Sequence, residues 1–332
     1  MRRVLITGGA GFIGAYLARA LVAQGDYPVL LDNFSELMYP AELKKERVKA
    51  LVPRQPLVKA DIRDARAMAE VMRKWKPQAV IHLAALAGVP LSLEHPLVYS
   101  DVNVTGTVQV LEAARKAGVK QFIFASSSSV YGDRASKKPA REDTKIDCPL
   151  NVYGASKAAG EQICFAYHKL WKMRCICLRF FTCYGPWGRP DMALFLFGER
   201  MVRGEPVIMH GRKTTRDFTY VEDIVQGVVR ALDYPAGYAI FNLAAGDTVP
   251  LPRYINAIAR ALGVEPQIIE RPLPEGEMPA NTADISRARG ELGYQPRYSV
   301  EEGVARWAEW FRAWYVPRYV STAAAACRAK QG

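Results

Sequence analysis

The stretch that most limits how this chain can fold lies at its start: Val4-Leu5-Ile6-Thr7, then Gly8-Gly9-Ala10-Gly11-Phe12-Ile13-Gly14, then an apolar-patterned segment to residue 24. The first four residues read as a short buried strand, the glycines as a tight turn, and 12–24 as an amphipathic helix. Gly9, Gly11 and Gly14 satisfy G-x-G-x-x-G, and Gly8, Gly11 and Gly14 the related G-x-x-G-x-x-G. Missing side chains let a pyrophosphate reach backbone N–H groups at a helix N-terminus, and the last glycine lets helix and strand pack closely. A second strand, 28–32, ends in Asp32, about 20 residues on, where a carboxylate accepts hydrogen bonds from ribose hydroxyls and repels a 2′-phosphate. The pattern predicts NAD rather than NADP; the alternative is that Asp32 merely opens the next loop.

Apolar runs and helical patterns then alternate: strand 57–62, helix 64–75, strand 79–85, helix 101–117, a strand from Gln121, a helix bearing Tyr153, and strand 174–181. Such alternation makes a doubly wound parallel sheet. Asp61-Ile62 falls near an adenine, and Ala84 and Ala85 leave room beside the diphosphate. His82, alone on an apolar strand, is assigned no chemistry. From Cys183 the pattern loosens into the breaker-rich loop 184–191 and a basic, polar segment 203–218, before helix 221–232 and strand 238–243 return. Beyond Gly246, prolines at 250, 252, 266, 272, 274 and 279 mark a loopier lobe, and its last helix, 300–314, buries Val304, Trp307, Trp310 and Phe311. At 332 residues the chain exceeds one comfortable core. The expectation is α/β: a Rossmann-type domain of 1–180 plus 217–245, a smaller C-terminal substrate-binding domain of 181–216 plus 246–320, and an unstructured tail, 321–332, holding Ala323 to Ala326.

The formal charge of +12 suits an anionic partner. Basic residues are dispersed, however, with Lys44-Lys45 and Lys137-Lys138 the adjacent lysines and no basic stripe interleaved with aromatics, so anionic small molecules are expected rather than nucleic acid. No stretch reaches the ~18 apolar residues of a membrane span, and the start runs into a strand rather than a cleavable leader. Six cysteines (148, 164, 175, 177, 183 and 327) lack metal-ligand spacing. They read as free thiols of a reducing cytoplasm, with no metal.

Tyr153 and Lys157 stand four residues apart, which puts phenol and ammonium on one helix face. A nearby cation favours the phenolate, drawing a pKa of ~10 toward neutrality, where the oxygen can serve as a base. Before them, the run Gln121 to Ala125 reads as a buried strand, so Ser126 to Ser129 emerge at its carboxyl end, where ligands sit in such sheets.

Glycine turn, Asp32, serine cluster and the Tyr153/Lys157 pair together resemble the extended short-chain dehydrogenase/reductase superfamily over about residues 1–315. More narrowly the chain resembles nucleotide-sugar 4-epimerases. The run from Leu178 through Tyr184-Gly185-Pro186-Trp187-Gly188-Arg189-Pro190-Asp191-Met192-Ala193 is similar to that of UDP-glucuronate 4-epimerases, as are Ala87-Gly88-Val89, Ser92-Leu93-Glu94 and Arg216-Asp217-Phe218-Thr219-Tyr220. The resemblance implies that Ser127 hydrogen-bonds the sugar O4, Tyr153 takes its proton, and Lys157 holds the nicotinamide ribose and supports the phenolate. Hydride leaves C4 for NAD and returns to the other face of a turned 4-keto sugar, without net redox change. It implies a cofactor site of Gly8, Gly11, Phe12, Ile13, Gly14, Asp32, Asn33, Asp61, Ile62, Leu83, Ala84, Ala85, Asn103, Tyr153 and Lys157. For the UDP-sugar it implies Ser128, Ser129, Thr182, Arg189, Asp191, Met192, Ala193, Arg216 as phosphate ligand and Asp284 at the UDP ribose, with Arg189 serving loop closure or phosphate binding unless it is a plain surface arginine. A homodimer through the Tyr153 helix and its neighbour is implied as well.

Related 4,6-dehydratases carry Asp-Glu at Ser128 and Ser129, and UDP-glucuronate decarboxylases a glutamate at Ser129. Two hydroxyls hold a carboxylate without repulsion but cannot drive dehydration as acid and base. Thr182 accompanies the glucuronate enzymes, where UDP-glucose 4-epimerases commonly have asparagine. Two positions depart from the pattern: Pro90 stands where an arginine is usual, and Glu275-Gly276-Glu277 replaces a Gly-Asp form. UDP-glucose/UDP-galactose epimerisation thus stays open, as does a non-catalytic NAD-binding protein, against which the intact Ser127, Tyr153 and Lys157 speak.

Overall fold

Seven parallel strands form the central sheet of the computed structural model, which describes residues 1–320. They are β1 (Arg3–Thr7), β2 (Tyr27–Asp32), β3 (Leu57–Lys59), β4 (Ala79–His82), β5 (Gln121–Ser127), β6 (Arg174–Phe180) and the strand Tyr238–Leu243. Across the sheet the order is Tyr238–Leu243, β6, β5, β4, β1, β2, β3. The winding reverses between β1 and β4, and such a switch point opens a crevice at the carboxyl ends of the strands.

Successive residues on each strand feed opposite faces. Leu5, Val29, Val80, Phe122, Phe124, Cys175 and Cys177 join one buried core. Val4, Ile6, Leu30, Ile81, Ile123 and Ile176 join the other, which continues without a break through the C-terminal residues Tyr254, Trp307 and Phe311. Three small sheets lie outside the main one, and in one of them Val249–Pro250, Thr215–Arg216 and Ala280–Asn281 run side by side.

Boundaries differ from expectation where the chain leaves the sheet. The runs 57–62 and 79–85 stop pairing as strands at Lys59 and His82, and Ile62 and Leu83 to Ala85 turn outward along the crevice. The segment 101–117 opens with a π-helical turn, Asp101–Thr105, before the α-helix Gly106–Lys116. The last α-helix, Val300–Trp310, starts from a capping box of Ser299 and Glu302 and continues to Val320 in wider π-type turns containing Pro317, which has no N–H for a regular ladder. Its aromatic rows, such as Phe311 on Tyr315 at 5.2 Å, hold that segment. Cys148, Cys164, Cys175, Cys177 and Cys183 are free thiols. Cys327 and the expected tail, 321–332, lie outside the described residues. Among the described residues no helix is long and apolar enough to cross a membrane.

Candidate active site

A cavity of about 1080 Å³ runs along the carboxyl edge of the sheet and reaches C-terminal residues such as Leu251, Leu273 and Asn281. A pocket for one small ligand is roughly 300–1,000 Å³, so this one has room for two. At one end is the glycine turn. Gly8 has φ +68°, and a Cβ there would lie 2.7 Å from the Ala84 nitrogen; a Cβ on Gly14 would lie 2.3 Å from the Gly8 oxygen. The turn is therefore a backbone cradle that side chains would fill. It opens onto the N-terminus of α1 (Phe12–Ala23), whose N-cap, Gly11, supplies no side-chain bond. Free N–H groups at such an end favour a diphosphate.

Asp32 is buried at the end of β2 and accepts from Phe34 N at 2.8 Å. Beside it sits buried Lys44, 3.6 Å from the Asp32 carboxylate and donating to the Ser35 carbonyl. Phe12, Ile13, Asn33, Ile62, Leu83, Ala84 and Ala85 line this end with Gly8, Gly11 and Gly14. Asp61 and Asn103 instead stand behind the wall. Asp61 accepts from Asn33 Nδ2 at 3.0 Å, and its bonds to Arg63 above all hold its carboxyl well below the usual range. Asn103 pins Leu86 through both main-chain groups and donates to Ser156. Arg47, fully buried, donates to the Ala10, Trp187 and Gly188 carbonyls and so ties the glycine turn to the loop 185–191. These residues fit a dinucleotide.

Midway along the cavity, β5 delivers Ser127, and the helix Val152–Trp171 delivers Tyr153 and Lys157 one turn apart. The helix start is fixed by Asn151, whose side chain accepts from Gly154 N at 2.8 Å. The expected charge coupling differs here. Lys157 Nζ is buried and donates to the Ala125 carbonyl at 2.8 Å, and burial lowers its pKa to about 8. Burial raises Tyr153 above its ordinary value, and the groups that pull it back are the Ser127 hydroxyl and the Arg189 charge rather than Lys157. Desolvation of the phenolate outweighs a cation engaged elsewhere. His82 is buried between Thr7 and Thr107, and burial lowers it to about 3, so it stays neutral.

Ser128, Ser129, Thr182, Arg189, Asp191, Met192, Ala193 and Arg216 all line the far half. Arg189 is no surface arginine. It grips Asp191 with two bonds and donates to the Ala87 carbonyl, bridging two loops across the cavity. Arg216 meets Glu277 at 3.2 Å; burial draws it below its ordinary value against that pairing. The Glu275-Gly276-Glu277 departure thus supplies a carboxylate partner for Arg216. Asp284 is not brought to the cavity: its carboxylate accepts from Ser286 N at 2.8 Å and faces Arg141 at 3.6 Å. Lys44, Arg200, His210 and Asn281 line the wall and have no sequence signal.

A glycine cradle, a carboxylate at the second strand and a Ser–Tyr–Lys group at the sheet edge define an extended short-chain dehydrogenase/reductase. The chain belongs to the NAD dependent epimerase/dehydratase family, whose model matches residues 4–244, and its cofactor is NAD. It is 37% identical to UDP-glucuronate 4-epimerase 1 of Arabidopsis thaliana, over 94% of this chain and 77% of that protein. Among solved structures it is similar to the UDP-glucuronic acid 4-epimerase of Bacillus cereus in complex with UDP-glucuronic acid and NAD, with 31% identity, TM-score 0.86, and 94% and 99% of the two chains covered. It is also similar to the UDP-glucose 4-epimerase of Thermus thermophilus in complex with NAD, with 30% identity, TM-score 0.85 and the same coverage.

Proposed function

We propose that this enzyme interconverts UDP-glucuronate and UDP-galacturonate by inverting C4 through a transient 4-keto sugar. The observation that carries the reading is the neutral set Ser127, Ser128, Ser129 and Thr182 lining the same cavity as Tyr153, with no acid among the serines. Hydroxyls there hold a carboxylate without repelling it and offer no acid–base pair for elimination. NAD, when bound, takes up the C4 hydride and gives it back. Tyr153 holds and returns the O4 proton, with Ser127 bonded to the same oxygen and Lys157 at the cofactor ribose. Arg216, Arg189 and Arg200 are cations on the cavity wall that can meet the diphosphate. Retention of the carboxylate matters, since a 4-keto uronate is a β-keto acid prone to lose CO₂.

Incubated with UDP-glucuronate and followed by NMR of the anomeric protons, the enzyme is expected to form UDP-galacturonate without a pentose product. If only UDP-glucose is converted, the substrate assignment fails and the chemistry stands. That second reading, a neutral-hexose epimerase, is favoured by Pro90 and Glu94 on the cavity wall, where they bring no cation and one negative charge.

The same reading includes a homodimer, cytoplasmic, packed through the Tyr153 helix and its neighbour. Exposed Phe165, Leu170 and Trp171 on that helix, and Leu97 beside it, support the pairing. Sedimentation at micromolar concentration is expected to give twice the mass of one chain; monomer alone would refute it.

A further inference from the structure

Ser128 is held by a residue from the other end of the sequence. Asn281 lies on the two-residue strand Ala280–Asn281, opposite Arg216 in register, and its carbonyl accepts from Asp217 N at 3.0 Å. Its side chain is 3% exposed on the cavity wall. The Nδ2 donates to Ser128 Oγ at 2.7 Å, while Oδ1 is buried with no partner among the described residues. A serine hydroxyl has one proton and two acceptor sites. With an acceptor site taken by Asn281, and no described residue accepting its proton, Ser128 faces the cavity as a donor. A donor suits a carboxylate, which only accepts; a hydroxymethyl group both donates and accepts and needs no such orientation.

We propose that Asn281 is a positioning residue that fixes the Ser128 hydroxyl as a donor to the sugar's C5 carboxylate, and thereby sets the preference for a uronate over a neutral hexose. The inference rests on the reading of the substrate given above. An oxygen in place of Nδ2 reverses the bond, because Ser128 must then give its proton to residue 281. Asn281→Asp enforces that reversal at constant size, and Asn281→Leu removes the donor together with an unpartnered oxygen, so it folds without a new orphan group.

The test compares UDP-glucuronate with UDP-glucose, by kcat/KM and by calorimetric Kd, for the native enzyme, Asn281→Asp, Asn281→Leu, Ser128→Ala and the Ser128→Ala/Asn281→Leu double variant, whose neutral side chain adds no charge of its own. Asn281→Asp is expected to lower the glucuronate-to-glucose ratio about 10- to 100-fold, the range for losing a hydrogen bond to a charged group. Asn281→Leu should lower it less. Since Asn281 acts through Ser128, the double variant should match Ser128→Ala in that ratio. Equal losses for the two sugars, or effects that multiply in the double variant, would overturn the proposal. A native enzyme that turns over neither sugar defeats the substrate reading instead, and the Kd ratios still decide the role of Asn281.

Discussion

Tyr153→Phe is expected to lower epimerisation at least about 10³-fold while leaving NAD and UDP binding in place. General acid–base groups typically contribute 10²- to 10⁴-fold, and here the same oxygen must both accept and return a proton. The ring itself has a structural duty that phenylalanine keeps: it packs edge-on against Tyr99, with centroids 6.4 Å apart. What disappears is the hydroxyl, whose pKa burial raises and whose charged form Ser127 and Arg189 favour. The phenol is therefore protonated at neutral pH in the free enzyme, ready as the acid, and becomes the base once added positive charge offsets the desolvation. Turnover followed by NMR, with UDP binding by calorimetry, separates chemistry from binding. Undiminished turnover would move the proton to another group and revive the non-catalytic reading of the fold.

Features written in local chemistry were legible. The turn at Gly8 to Gly14 needs close backbone approach, Asp32 ends a strand, and Tyr153 and Lys157 share a face by helical spacing, so each could be placed without knowing the fold. The helix Val221–Leu232 and the strand Tyr238–Leu243 likewise match their expected limits, since the helix is strongly amphipathic and the strand is a short, mostly apolar run. Where the side chains end up was not legible. Lys157 points at the Ala125 carbonyl because β5 passes beneath it, which the i,i+4 spacing cannot report. Asn281 reaches the wall through a two-residue strand too short to carry any period. Asp284, three residues on, follows a bridge between Ala140 and Ala283, and its N–H bonds to the Ala140 carbonyl at 2.9 Å, which carries its side chain away from the cavity. Lys44 and Arg47 approach the cofactor end from a helix, Ala41–Leu51, whose sequence reads as an ordinary solvated surface.

The largest stability effect is expected from Glu161→Gln, at a cost of about 3–5 kcal/mol, the range for breaking a buried ion pair by removing one partner. Glu161 is fully buried and receives both forks of Arg179, at 2.9 and 2.7 Å. Burial opposes the Arg179 charge, yet Glu161 overrides it and holds the guanidinium above its ordinary pKa. The amide variant keeps the shape and removes the charge, so Arg179 stays cationic in a dry interior. The damage should reach the cavity. Ser126 donates to the same carboxylate, Arg179 donates to the Tyr131 hydroxyl, and that hydroxyl donates to Asn242, linking the end of β5, the turn after it and the edge strand. Ser127 and Ser128 lie between Ser126 and Tyr131, so kcat should fall along with stability. Urea unfolding of Glu161→Gln and of the Glu161→Leu/Arg179→Met double variant checks this. The double variant should be the more stable of the two, because no unpaired charge remains buried. A cost under about 1 kcal/mol for Glu161→Gln is what an exposed pair gives, and it would mean that water reaches Arg179 and that the serine turn is held by its own backbone.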